Sequence, residues 1–151
     1  FRRAAATISG GSVIVVGPRH AGFHFPDAPS NVHFLGMKPH AALPGYYQHC
    51  DLGIMPFADN AAARAINPIK TLEYFAAGSP VLATPIPDLV EFYEGLVELS
   101  EPRHWEARIM EVLAQENDPV KRRAFAKART WDALAAAIEE RLLQAEAKRA
   151  F

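Results

Sequence analysis

Asn67-Pro68-Ile69-Lys70-Thr71-Leu72-Glu73-Tyr74-Phe75-Ala76-Ala77-Gly78, followed at once by Ser79-Pro80-Val81-Leu82-Ala83-Thr84, is the stretch whose reading decides the fold. Asn67 reads as an N-cap and Pro68 as the first helical residue, where the lost N–H would have had no intrahelical partner. Gly78 supplies a left-handed stop. Ser79-Pro80 then leads into a short apolar strand. A helix delivered directly into a strand is the repeating unit of a parallel sheet.

Working outward, the same alternation continues. Upstream, Ser12-Val13-Ile14-Val15-Val16 is a β-branched run ended by Gly17-Pro18 and reads as a fully buried strand. Asn31-Val32-His33-Phe34-Leu35-Gly36 and Asp51-Leu52-Gly53-Ile54-Met55-Pro56 read as two more strands, with a short helix over 41–49 between them. Residues 19–30 and 59–66 read as loops. Downstream, Pro85-Ile86-Pro87-Asp88 turns into a short helix with Asp88 as its N-cap, and Leu96-Val97-Glu98-Leu99 is a fifth strand. Three helices over 102–115, 119–127 and 131–148 close the chain. The fold class is α/β: a doubly wound, mostly parallel, Rossmann-like sheet with a helical C-terminal stretch.

Composition excludes several classes. The chain has 151 residues, enough to bury a substantial core, and 22% of them are charged. A net charge of −1 carries no signal for nucleic acid. One cysteine, Cys50, allows no internal disulfide and agrees with a cytoplasmic location. No apolar run approaches the ~18–20 residues a membrane span needs. Phe1-Arg2-Arg3-Ala4-Ala5-Ala6 is not followed by the apolar segment of a signal peptide and reads as the end of a helix. The chain is therefore expected to be part of a longer protein. A P-loop, a Gly-x-Gly-x-x-Gly fingerprint and a Gly-x-Ser-x-Gly elbow are all absent.

In open α/β sheets ligands bind at the carboxyl ends of the strands, which here include Gly17-Pro18-Arg19 and Gly36-Met37-Lys38. The start of the Asn67 helix offers unpaired N–H groups and a positive dipole end, suited to a diphosphate. Asn67, Lys70 and Glu73 are three apart and share one side of that helix. Lys70 can reach a phosphate as a point charge, and Glu73 can accept hydrogen bonds from ribose hydroxyls. The other reading of Lys70 and Glu73 is a solvated surface pair. His20 and His24 are four apart in a loop without a neighbouring cysteine, and no metal site is expected there. Cys50 reads as core rather than nucleophile. Lys121, Arg122, Arg123, Lys127 and Arg129 form either a basic patch for a membrane surface or lipid-linked acceptor, or a solvated face balanced by Glu139, Glu140 and Glu146.

Asn31 to Gly36, Leu43-Pro44-Gly45-Tyr46-Tyr47, Cys50 to Phe57 and Asn67 to Val81, taken in this order and spacing, resemble the C-terminal domain of bacterial group-1 retaining glycosyltransferases. Those enzymes pair two facing Rossmann domains, the GT-B architecture. The resemblance covers nearly the whole chain and extends to Thr130-Trp131-Asp132, which opens the last helix. It implies that residues 1–151 form the nucleotide-sugar-binding domain and that an N-terminal acceptor domain is a further partner. It implies no cofactor beyond the donor itself, a nucleoside diphosphate sugar. The donor's sugar would pass to a hydroxyl acceptor, as in cell-surface polysaccharide synthesis, at the cytoplasmic side of the membrane.

Residue by residue, the resemblance places Glu73 on the ribose. It places Lys70 and the amides after the Asn67-Pro68-Ile69 turn on the diphosphate, Gly36 and Met37 at the base, and Gly17 and Arg19 at the donor cleft. Many relatives carry a second glutamate at the position of Ala65 and a Gly-Phe-Gly turn where Ile66-Asn67-Pro68 stands. This chain departs from both. No catalytic residue is assigned. Two other readings stay open: a non-catalytic Rossmann-like binding or scaffold module, which the missing glutamate favours, and half of a nucleotide-sugar epimerase.

Overall fold

Residues 2–8, 10–19, 21–22 and 25–149 are described by a computed structural model. His20 and His24 lie outside the described residues. Among the described residues five short strands, β1 Val13–Val16, β2 Val32–Gly36, β3 Gly53–Met55, β4 Val81–Ala83 and β5 Glu98–Leu99, all pair in parallel. They form two ladders, β1-β2 and β3-β4-β5, with β4 in the middle of the second. The helices are α1 Arg2–Thr7, α2 Leu43–Gln48, α3 Ala61–Arg64, α4 Ile69–Ala77, α5 Pro87–Phe92, α6 Trp105–Ala114, α7 Pro119–Lys127 and α8 Trp131–Arg149. One-turn 3₁₀ segments at His40–Ala42 and Pro102–His104 lead into α2 and α6.

The period of two along β4 assigns the two faces of its sheet. Val81 and Ala83 point into one core with Phe75 of α4, Leu89 of α5, Met55 and Tyr93. Leu82, between them, points the other way and packs with Trp105 and Ile109 of α6. Helices thus cover both faces, which is the doubly wound arrangement. The indole N–H of Trp105 donates to Ser100 O at 2.8 Å, so this large side chain is buried without an orphaned donor. Arg108 of α6 pairs with Glu98 of β5 and holds the edge strand to its helix.

α1 is tied in from a distance. Asn31, just before β2, shares its side-chain amide between Ala5 O, Ile8 O and Gly11 O, at 2.9, 3.3 and 3.4 Å. Those carbonyls follow or end α1, where acceptors otherwise lack partners. Asn31, read from sequence as the start of a strand, is therefore also the anchor of the first helix.

The C-terminus of α4 is closed twice. Gly78 adopts φ +93°, its N–H bonds to Phe75 O at 2.9 Å, and Ser79 N–H reaches back to Tyr74 O at 3.0 Å. Two guanidiniums from α7 then add to the same end: Arg123 Nη2 donates to Ala77 O at 2.8 Å and Arg122 Nε to Gly78 O at 3.2 Å. Cations on the negative end of the helix dipole are stabilising. Arg129 stacks on the Phe125 ring at 3.4 Å. Three cations of the basic cluster thus have structural work inside the domain, while Lys121 and Lys127 stay exposed.

Several sequence expectations are corrected. β1 is half-covered rather than fully buried: Val13 is buried, but Ile14 is 47% exposed, because a two-stranded ladder alternates its faces. The 59–66 segment contains α3, whose first turn is capped by Asn60 Oδ1 accepting from Ala63 N–H at 2.8 Å. The N-cap of α4 is Pro68, not Asn67, and no side chain caps it. Ile86 caps α5, so Asp88 is a first-turn charge.

A Cβ at Gly78 would lie 2.8 Å from Pro119 Cβ in a backbone conformation that L-residues avoid. Gly78→Ala is expected to destabilise the fold by about 2 kcal/mol or more. Urea unfolding should show a lower midpoint at unchanged slope; an unaltered midpoint would mean that the α4–α7 junction relaxes freely.

Candidate functional site

The site is built around α4. Thr71 and Phe75, four residues apart, are both fully buried and turn one face of the helix to the core. Lys70 and Glu73 then fall on the opposite flank. Lys70 Nζ donates to Glu73 Oε2 at 2.6 Å. A third group, absent from the sequence-level site, meets the same oxygen: the hydroxyl of Tyr47, from α2, donates to Glu73 Oε2. His40, in the turn before α2, adds a favourable charge interaction with Glu73.

The electrostatics follow from this geometry. Partial burial pushes the Glu73 carboxyl up, but the hydrogen bonds from Lys70 and Tyr47 outweigh it and hold the group below the usual carboxylate range. The reverse holds for Tyr47, where burial and the bond to Glu73 raise the phenol well above the usual tyrosine value. Tyr74 is pushed up to about 12, chiefly by burial. Near neutral pH Glu73 is therefore ionised and the Tyr47 hydroxyl is a donor to it.

Aromatic packing holds Tyr47. Its ring meets the Tyr74 ring edge to face, with centroids 5.0 Å apart and planes at 82°. Tyr74 in turn lies over Gly53 at the start of β3, where a Cβ would come within 2.7 Å of the ring. Ser79 Oγ donates to Tyr47 O at 3.1 Å, tying α2 to the end of α4.

The start of α4 differs from the simple open helix end. Pro68 is buried and has φ −83° and ψ 68°, and Ile69 N–H donates across it to Asn67 O at 2.9 Å, an inverse γ-turn. Thr71 N–H bonds Pro68 O at 2.9 Å. Two amides near the expected diphosphate position are thus engaged within the turn. Asn67 and Ile69 are exposed beside it.

The other predicted residues gather at the ends of β1 and β2. Gly17 N–H donates to Gly36 O at 3.0 Å, and both glycines have positive φ, 140° and 67°. A Cβ at either would meet nothing within 4 Å, so this strand end is open on its surface. Met37 is 70% exposed beside it, and the Arg19 guanidinium lies 5.5 Å over the Phe34 ring. The structure therefore brings together two groups, Gly17–Gly36–Arg19 and Lys70–Glu73, linked by the chain from Met37 through His40 to Tyr47.

A hollow of about 340 Å³ lies elsewhere, at the far end of α4, lined by residues including Cys50, Asp51, Ser79 and Arg123. It sits before β3 and β4, at their amino ends, opposite to where open α/β sheets bind ligands. Burial raises the Cys50 thiol there, consistent with packing rather than reactivity. Among the described residues no group of three His, Cys, Asp or Glu side chains is placed to hold a metal ion. No described helix is long and apolar enough to cross a membrane.

Sequence alone does not place Tyr47 at Glu73, because the two are 26 residues apart. The available signal was an aromatic with a polar tip in a short helix, which marks a half-buried position but names no partner.

Because the Glu73 pKa is lowered on folding, the stabilisation from its charge is present above the ordinary value of 4.5 and is lost as pH falls through the depressed one. Wild type is expected to exceed Glu73→Gln in stability at neutral pH, with the gap closing below that ordinary value. Unfolding titrations of both proteins between pH 7 and 3 check this; a gap independent of pH would contradict it.

Comparison with known proteins agrees with the α/β fold. The profile of the family described as "Glycosyl transferases group 1" matches residues 3–115. TuaH of Bacillus subtilis (strain 168), a protein named for glycosyl transfer in teichuronic acid biosynthesis, is 32% identical over 112 residues. That alignment covers 69% of this chain and 28% of TuaH, so the chain spans less than a third of that relative's length. No solved structure matches. A parallel α/β fold with helices on both faces of its larger sheet, together with the profile match over most of the chain, shows that this protein belongs to the group 1 glycosyltransferases.

Proposed function

We propose that this chain is the donor-binding domain of a glycosyltransferase that moves a hexosyl group from a nucleoside diphosphate sugar to a hydroxyl acceptor in cell-surface polysaccharide synthesis. The observation that carries this reading is the ionised Glu73 held on α4 beside Lys70. Glu73 accepts the ribose hydroxyls. An ammonium has three donors, so Lys70 can keep one on Glu73 and offer the others to phosphate oxygens. Its side chain is 57% exposed and therefore accessible.

As the glycosidic bond to the diphosphate breaks, negative charge grows on the leaving oxygen. Lys70 and the positive end of the α4 dipole stabilise that charge where it develops. Asn67, Pro68 and Ile69 shape the approach to this end. The open glycines Gly17 and Gly36, with Met37 and Arg19, receive the nucleoside side of the donor. Ala65 ends α3 and offers no carboxylate to the sugar, so contacts to the sugar hydroxyls come from other residues. In this reading an N-terminal Rossmann domain brings the acceptor, and the reaction takes place in the cytoplasm at the inner face of the membrane.

Calorimetric titration with UDP, GDP and ADP tests the assignment. One of them is expected to bind, with Glu73→Ala weakening it roughly tenfold or more, the cost of a hydrogen bond to a charged group. Lys70→Ala is expected to weaken it comparably and to flatten its dependence on salt. Equal affinity of wild type and Glu73→Ala would overturn the reading.

A further inference from the structure

We propose that Tyr47 is a positioning residue of the donor site: its hydroxyl holds Glu73 Oε2 and leaves Oε1 to accept the ribose hydroxyls. The inference rests on the donor-site reading above. Both hydrogen bonds to Glu73 among the described residues, from Tyr47 and from Lys70, end on Oε2. An ionised carboxylate has acceptor sites on both oxygens, so Oε1 keeps its full capacity.

The two donors differ in how firmly they are held. Lys70 is a flexible, exposed chain whose cation is also wanted by phosphate. Tyr47 is clamped: its ring abuts Tyr74, Tyr74 rests on Gly53, and its backbone carbonyl accepts from Ser79 Oγ. A rigid phenol fixes the carboxylate rotamer even when Lys70 turns to an anion. This is the shell of support that keeps a binding group within a fraction of an ångström of its working geometry. The groups facing Glu73 are Lys70 and Tyr74 from its own helix, Tyr47 from α2 and His40 from the turn before it, with Cys50 acting on Tyr47. None of the others offers a comparably fixed donor to Oε2.

The test is discrimination between nucleotides that have and lack ribose hydroxyls. UDP, GDP, ADP and their 2′,3′-dideoxy counterparts are titrated into wild type, Tyr47→Phe and Glu73→Ala. Tyr47→Phe keeps both ring contacts and removes only the hydroxyl. Wild type is expected to prefer the ribonucleotide by roughly tenfold or more, and Tyr47→Phe to lose most of that preference. The acid limb of binding should also move to higher pH in Tyr47→Phe, because a bond favouring the Glu73 carboxylate is gone. The ratio of two affinities on one variant does not depend on its folded fraction, so a loss of stability cannot mimic the result. A Tyr47→Phe ratio equal to wild type, with Glu73→Ala losing it, would overturn the role of Tyr47 and leave the donor site standing. A wild type without the preference, or a Glu73→Ala that keeps it, would remove both.

Discussion

Burial of Thr71 and Phe75 on one face of α4 is the constraint on which the rest of this structure depends. Phe75 has no exposed surface, and burying a side chain of that size is worth about 1.5–3 kcal/mol. It meets Val81, Ala83, Leu89 and Tyr93 in one cluster and the Phe125 ring at 5.8 Å. Two residues four apart fix the rotation of a helix about its axis. Once that rotation is set, Lys70 and Glu73 can only project away from the core, and Tyr74 can only project toward α2.

The two ends of α4 are treated oppositely. At the C-terminus the helix is closed by a left-handed glycine, three backbone bonds from Gly78 and Ser79 back to the last turn and two arginines from α7. At the N-terminus a buried proline makes a γ-turn, no side chain caps the helix, and Lys70 provides the positive charge. The hollow beside the closed end is a feature of packing, lined by groups that already serve the α4–α7 junction.

The carboxylate cluster is assembled from two elements that follow different strands. α2 follows β2, and α4 follows β3. They meet through Tyr47, Tyr74 and Glu73.

Most of the architecture was legible in the sequence, because the cues were local. Gly78 ended α4, Pro119 and Asp118 opened α7 at the predicted residue, and the β-branched and apolar runs fell on strands. Lys70 and Glu73 were legible as neighbours because helix periodicity alone puts them together. Local patterns also misled where two local solutions compete. Asn67 was a better cap on paper than Pro68, and an alanine-rich segment read as a loop although Asn60 started a helical turn. What only the tertiary structure decided was pairing across long separations. Asn31 reaches the carbonyls that end α1, the arginines of α7 reach the end of α4, and Tyr47 reaches Glu73. Periodicity says which face a side chain occupies, but the partner on the facing element is set by packing, and no residue spacing encodes it.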